Sequence, residues 1–110
     1  MAKEMREPTW FMLTALAGSG RLHGYGITRE VERLSGGRLR LRAGTLYAAL
    51  DRLTVEGLVV RVGEEVVDGR LRRYYTLSPE GGDALATEAR HRMRLSRETL
   101  RRLAVAVSPA

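Results

Sequence analysis

A chain of 110 residues has room for one domain around one modest core. Its 44% hydrophobic and 29% charged residues are the balance of a folded globular protein, and the absence of cysteine excludes a disulfide scaffold, a thiolate zinc site and a cysteine nucleophile. Nineteen Lys and Arg against thirteen Asp and Glu leave a net charge of +6, which suits a polyanionic partner because each phosphate contacted releases condensed counterions.

Along the chain, Thr9 to Ala17 reads as a helix that Gly18-Ser19-Gly20 ends. A second helix opens near His23-Gly24-Tyr25, with Ile27, Val31 and Leu34 at i, i+4 and i+7 forming one apolar stripe, and Ser35-Gly36-Gly37 stops it. Cations and leucines then alternate through Arg38-Leu39-Arg40-Leu41-Arg42. A third helix runs from about Gly44 to Glu56, with Leu46, Leu50 and Leu53 as its buried stripe and Gly57 as a left-handed stop. Its other face carries Thr45, Ala48, Asp51, Arg52 and Val55, with Tyr47 at the margin. That face is small and polar, so it is either exposed or set against a partner.

Leu58 to Val62 reads as a strand, Gly63 to Gly69 as a loop with Glu64, Glu65 and Asp68 at its tip, and Arg70 to Leu77 as a second strand. Three helices followed by a hairpin is the layout of a winged helix-turn-helix. Ser78-Pro79-Glu80 then starts a helix that nothing breaks before Ser108-Pro109, a rod of about 40 Å. Gly82, Ala86, Ala89, Met93, Ser96, Leu100, Leu103 and Val107 step along it by threes and fours, the two-in-seven seam of paired helices. The expected fold is therefore mainly α with a small β-hairpin: a winged helix-turn-helix over residues 1–78 and a long C-terminal dimerisation helix over 79–110. Met93, Leu100, Leu103 and Val107 are expected in the subunit interface, joined by Trp10, Phe11 and Leu13 of the first helix.

Leu22-His23-Gly24-Tyr25-Gly26-Ile27, Leu41-Arg42-Ala43-Gly44-Thr45-Leu46-Tyr47-Ala48-Ala49-Leu50, Glu56-Gly57-Leu58 and Arg73-Tyr74-Tyr75-Thr76-Leu77-Ser78 occur in the order of the PadR family of bacterial transcription regulators, which the chain resembles. The resemblance covers about Leu13 to Ala89. It implies a dimeric winged helix-turn-helix repressor of the short subclass, acting on double-stranded DNA at an inverted repeat. It also implies that the third helix enters the major groove, with Thr45, Tyr47 and Ala48 at base edges and Arg52 reaching phosphate or guanine. Tyr25 is read as a phosphate donor or as an interfacial core tyrosine. Where relatives carry Ser or Thr followed by Pro, this chain has Arg42-Ala43, which removes a cap worth about 1 kcal/mol and adds a guanidinium for phosphate. Arg70, Arg72 and Arg73 on the hairpin are the wing's expected DNA contacts. Relatives also hold small hydrophobic or aromatic effectors between subunits, a use that Trp10 would suit, although no polar constellation defines a ligand.

No cofactor and no metal are expected, since His23 and His91 lack a second ligand at metal spacing. With no apolar run long enough for a membrane and no secretion signal at Met1–Arg6, a cytoplasmic location is expected. An enzyme is set aside for want of a nucleophile–base pair, a carboxylate dyad or a phosphate-binding glycine loop. The competing class is a winged-helix interaction module that never touches DNA specifically.

Overall fold

The structure, a computed structural model, describes residues 4–107, with side-chain placement through Val105. Seven elements follow in order: α1 (Glu7–Ala17), β1 (Leu22–His23), α2 (Gly24–Leu34), α3 (Ala43–Val55), β2 (Val59–Val67), β3 (Arg70–Leu77) and α4 (Pro79–Val107). α1 starts two residues before the sequence pattern suggests. Pro8 sits in its first turn, where a missing N–H removes no helical bond. His23 caps α2, its Nδ1 accepting the Gly26 N–H at 3.3 Å. Arg42 stands at the N-cap of α3 and its side chain makes no capping bond, as the Arg42-Ala43 sequence implies.

The core takes Met12, Leu13, Ala15 and Leu16 from α1, Ile27 and Val31 from α2, Leu46, Leu50 and Leu53 from α3, and Val59 and Tyr75 from the sheet. All are at most 2% exposed. Each large side chain among them contributes about 1.5–3 kcal/mol on burial. α1 supplies four of these residues because it is enclosed by α2, β3 and α4. Leu13 is therefore spent inside its own domain at 0% exposure, which overturns its expected place in a subunit contact.

The sheet is antiparallel, in the order β1-β3-β2. Two-residue β1 was not visible in the sequence; it pairs Leu22 with Tyr75 and His23 with Tyr74. The expected loop at 63–69 is instead strand as far as Val67, closed by Asp68-Gly69 at φ 51° and 76°. Two left-handed residues are what a tight hairpin with the native strand twist requires. Gly63 marks a bulge, not a strand end: Arg61 faces Tyr75 and Gly63 faces Tyr74. Glu64 and Glu65 thus lie along the wing opposite Arg73 and Arg72, and only Asp68 occupies the tip.

Ser78 fixes the start of α4. Its hydroxyl donates to the Gly57 carbonyl at 2.6 Å and accepts the Gly81 N–H at 2.9 Å. The first turns of α4 lie against the domain, with Leu85 packed on the core. Arg92 ties the helix to the α1 end, reaching Glu88 at 2.7 Å and the Met5 carbonyl at 3.2 Å. Beyond it the rod projects. The radius of gyration is 16.9 Å, against about 13 Å for a rounded domain of this length.

Candidate nucleic-acid interface

The exposed face of α3 is built by subtraction. Once Leu46, Leu50 and Leu53 turn inward, Arg42, Thr45, Tyr47 and Ala48 are left outward around its first two turns. Tyr47 is 42% exposed and lies over the start of α2. A Cβ on Gly24 would come within 2.9 Å of Tyr47 Cζ and closer still to its hydroxyl, so glycine there is what lets α3 approach α2. Tyr25, 66% exposed, stands beside this contact with the Arg29 guanidinium 5.8 Å from its ring centre. Tyr25 and Tyr47 therefore flank one α2–α3 junction, and Arg42, Thr45 and Ala48 lie exposed at the start of the same α3.

The wing adds charge unevenly. Arg73 is paired with Glu64 at 3.5 Å across the hairpin. Arg70 beside the turn and Arg72 meet no carboxylate within ion-pair distance among the described residues, and neither does Arg42. On α2, Arg33 hydrogen-bonds Glu30 with Nε–Oε1 at 3.1 Å and holds that carboxyl below the usual carboxylate range. The pair stays mutually neutral at ordinary pH, so it leaves the surrounding positive field to the other arginines.

Sequence reasoning missed the stack that joins wing and helices. Arg21 lies over the Tyr74 ring at 4.2 Å, and His23 stacks on Tyr74 with centroids 5.6 Å apart and planes at 16°. His23 also meets the edge of Tyr25 at 6.4 Å. The stack depends on β1 pairing with β3, a two-residue ladder with no periodicity to reveal it.

Arg52 falls outside the group. Although two turns from Thr45 on the same helix, its guanidinium reaches back to Thr9 Oγ1 and to Glu56 Oε1, both at 3.0 Å. Those bonds tie α3 to α1 and answer the charge expected to meet phosphate or guanine. Arg52→Ala is accordingly expected to lower folding stability by about 1 kcal/mol and to leave the salt dependence of any DNA binding unchanged. A thermal melt and an anisotropy titration at two salt concentrations check the two halves.

On the far side, Trp10 and Phe11 are half-buried, and Arg92 covers one face of the Trp10 ring at 4.7 Å. Met93, Leu100 and Leu103 are 49%, 66% and 57% exposed on α4, as are Leu95 and Val105 off the seam. The side chain of Val107 and the Ser108-Pro109 stop lie outside what the structure describes. Thr9, Arg52, Glu56, Asp83 and Glu88 line an open groove of about 740 Å³ between α1, α3 and α4. No helix among the described residues is long and apolar enough to cross a membrane, and no cluster among them could hold a metal ion.

A family model described as the transcriptional regulator PadR-like family matches residues 12–87, from the second turn of α1 into α4. The chain belongs to that family. It is 40% identical over 84 residues to Transcriptional regulator Rv3488 of Mycobacterium tuberculosis, covering 76% of this chain and 75% of the other. A PadR family transcription regulator from Clostridium difficile superposes with a TM-score of 0.69 at 24% identity, over 86% of this chain and 95% of that one. Bacillus subtilis PadR, solved in complex with operator DNA, is similar at a TM-score of 0.67 and 25% identity. That match takes in 79% of this chain and 48% of the Bacillus protein, about half its length. This PadR-like chain is thus a transcriptional regulator on a winged-helix scaffold, a binding role and not an enzymatic one.

Proposed function

We propose that this regulator is a sequence-specific repressor that binds an inverted-repeat operator as a homodimer. The observation that carries the reading is the outward face of α3, where Thr45, Tyr47 and Ala48 stand free of bulky apolar cover beside the uncompensated Arg42. Small and polar side chains at the start of a helix are what base edges in a major groove accept. Arg70, Arg72 and the partly paired Arg73 supply the wing's phosphate contacts, and Tyr25 donates its hydroxyl to the backbone beside α2. Residues 1–78 carry these contacts. Residues 79–110 are the pairing region, in which the first half of α4 also covers the domain.

Pairing rests on the seam. Met93, Leu100 and Leu103 continue the line that Ala86 and Ala89 begin against the domain, but they are bare. Apolar positions at this period gain most from a second helix. Two α3 helices one DNA turn apart then read the two half-sites, and repression follows from excluding polymerase. A flat aromatic effector would act by shifting the dimer to a spacing that no longer fits. At Trp10 it would displace the Arg92 guanidinium from the ring.

The test is fluorescence anisotropy with labelled duplex from upstream of the regulator's own gene and with a scrambled duplex, at two salt concentrations. Tight binding confined to the upstream duplex and weakening with salt is the expected result. Equal, steeply salt-sensitive binding to both would remove the sequence-specific part of the reading for that site. No binding to either would favour an interaction module.

A further inference from the structure

Five residues between α2 and α3 alternate cation and leucine, and only Arg42 among them has been given a use. The segment is held firmly. Gly36 and Gly37, at φ 64° and 82°, turn the chain out of α2, and the Gly37 N–H closes on the Glu32 carbonyl at 2.8 Å. Buried Ser35 accepts the Leu39 N–H at 2.9 Å and donates to the Glu32 carbonyl at 3.1 Å. Leu39 and Leu41 pack against the core.

With the leucines pinned inward, the three arginines separate by environment. Arg38 turns back, donating to the Ser35 carbonyl at 3.3 Å and lining a small cavity with Glu7 and Phe11 of α1. Arg40 has a side chain 76% exposed, with Nε 3.2 Å from Glu32 Oε1 on α2. Two residues further on, Arg42 stands at the start of α3. Two residues span at most about 7 Å of chain, so where Arg42 meets one phosphate the Arg40 guanidinium reaches the next along the same strand.

We propose that Arg40 is a further phosphate contact of the DNA-binding face, and that Glu32 holds its guanidinium until DNA takes it over. The inference rests on the DNA-binding reading above. An ion pair between exposed groups is weak, while a guanidinium–phosphate hydrogen bond is charge-assisted at both ends and can be bidentate. The exchange therefore runs toward DNA. Glu32 lowers affinity by competing for Arg40, the guanidinium it holds in the free protein. Because no base edge is involved, the contact adds equally to operator and non-operator binding, and Glu32 limits how much of it the protein gains.

The test uses the full chain and both duplexes at 50 and 200 mM salt, with R40Q, E32Q and the double variant. R40Q is expected to reduce the slope of log affinity against log salt by about 0.9 on both duplexes, so its deficit grows by about 3.5-fold from the higher to the lower salt. E32Q is expected to tighten binding by about 1.5- to 5-fold, the worth of an exposed pair, and that gain is expected to vanish when Arg40 is also replaced. An unchanged slope in R40Q would overturn the proposal. So would an E32Q gain that persists without Arg40, or an equal loss of slope in R97Q, which makes the same charge change on α4. If the parent binds neither duplex, the DNA-binding reading itself fails and this inference with it, an outcome distinct from a failure of R40Q alone. Both side chains are solvent-facing, and a thermal melt of each variant verifies that the fold is kept.

Discussion

Leu100→Asp is expected to convert a dimer into a monomer and to abolish operator binding. Leu100 is 66% exposed in the isolated chain, on the same line of α4 as Met93 and Leu103. Nothing among the described residues covers this line, since α4 has left the domain by that point. Removing a leucine from a well-packed apolar contact costs about 2–5 kcal/mol, and introducing a carboxylate adds the burial of an unpaired charge. In a two-fold interface the same change occurs twice. The dimer would weaken by well over a thousandfold, and an operator that requires both half-sites would be lost with it. Light scattering gives the mass and anisotropy the affinity. Circular dichroism should show an intact monomer, because the residue touches no core. A variant that stays dimeric would show that α4 does not pair through this seam.

The difference between Leu100 and Leu13 shows where sequence periodicity is informative. On α2 and α3 the buried residues follow a narrow stripe, and Ile27, Val31, Leu46, Leu50 and Leu53 were legible as core from their spacing, whereas Leu34, read on the same α2 stripe, is exposed. α1 is different, because its apolar residues run almost without a break from Trp10 to Ala17, and Met12, Leu13, Ala15 and Leu16 are buried while Trp10 and Phe11 are half-buried. Position on that helix therefore says little about which residues are left for a partner, and Leu13 was misplaced for that reason. The wing was misjudged through Gly63. Read locally, a glycine followed by two glutamates ends a strand, but the bulge absorbs the glycine, Glu64 is answered by Arg73 across the hairpin and Glu65 by Arg21. The Asp68-Gly69 signal for a tight turn was present, although outweighed by that polar run.

For the candidate site, the start of α3 could be located from sequence because its polar face is a property of one helix. Arg52 could not be resolved this way. Its partner Thr9 is 43 residues distant, and nothing local distinguishes a guanidinium that meets phosphate from one that ties two helices. The stack of Arg21, Tyr74 and His23 was hidden for the same reason, since it exists only after β1 and β3 pair.

Adjacent glycines at the start of α4 should respond to the same substitution with opposite signs. A Cβ on Gly81 would lie 2.9 Å from the Leu58 carbonyl carbon, nearer still to its oxygen, and 3.0 Å from Leu77 Cδ1. The leucine end could move, but the Leu58 backbone is held on both sides. Its N–H donates to the Leu53 carbonyl at 3.0 Å, and its carbonyl accepts the Ser78 N–H at 3.1 Å. Gly81→Ala must therefore push α4 off the α3–β2 turn and strain the Ser78 bonds. Overpacking costs about 1–3 kcal/mol and more where backbone must shift, with about 1 kcal/mol of capping added. For a domain of this size the melting temperature should fall by about 10–25 °C. Gly82→Ala meets only Leu77 Cδ2, at 4.0 Å, an ordinary contact, and alanine is favoured over glycine within a helix by about 1 kcal/mol. That variant should melt a few degrees higher. Equal shifts in the two variants would mean that α4 is not seated on Leu58. The joint matters for the proposed function because Gly57 and Leu58 follow α3 closely: the path along which α4 leaves the domain is set at the end of the helix proposed to read DNA. If α4 pairs the subunits, the distance between the two reading helices is set at this joint. Any Gly81→Ala protein that still folds should then lose more affinity for the operator than for a scrambled duplex.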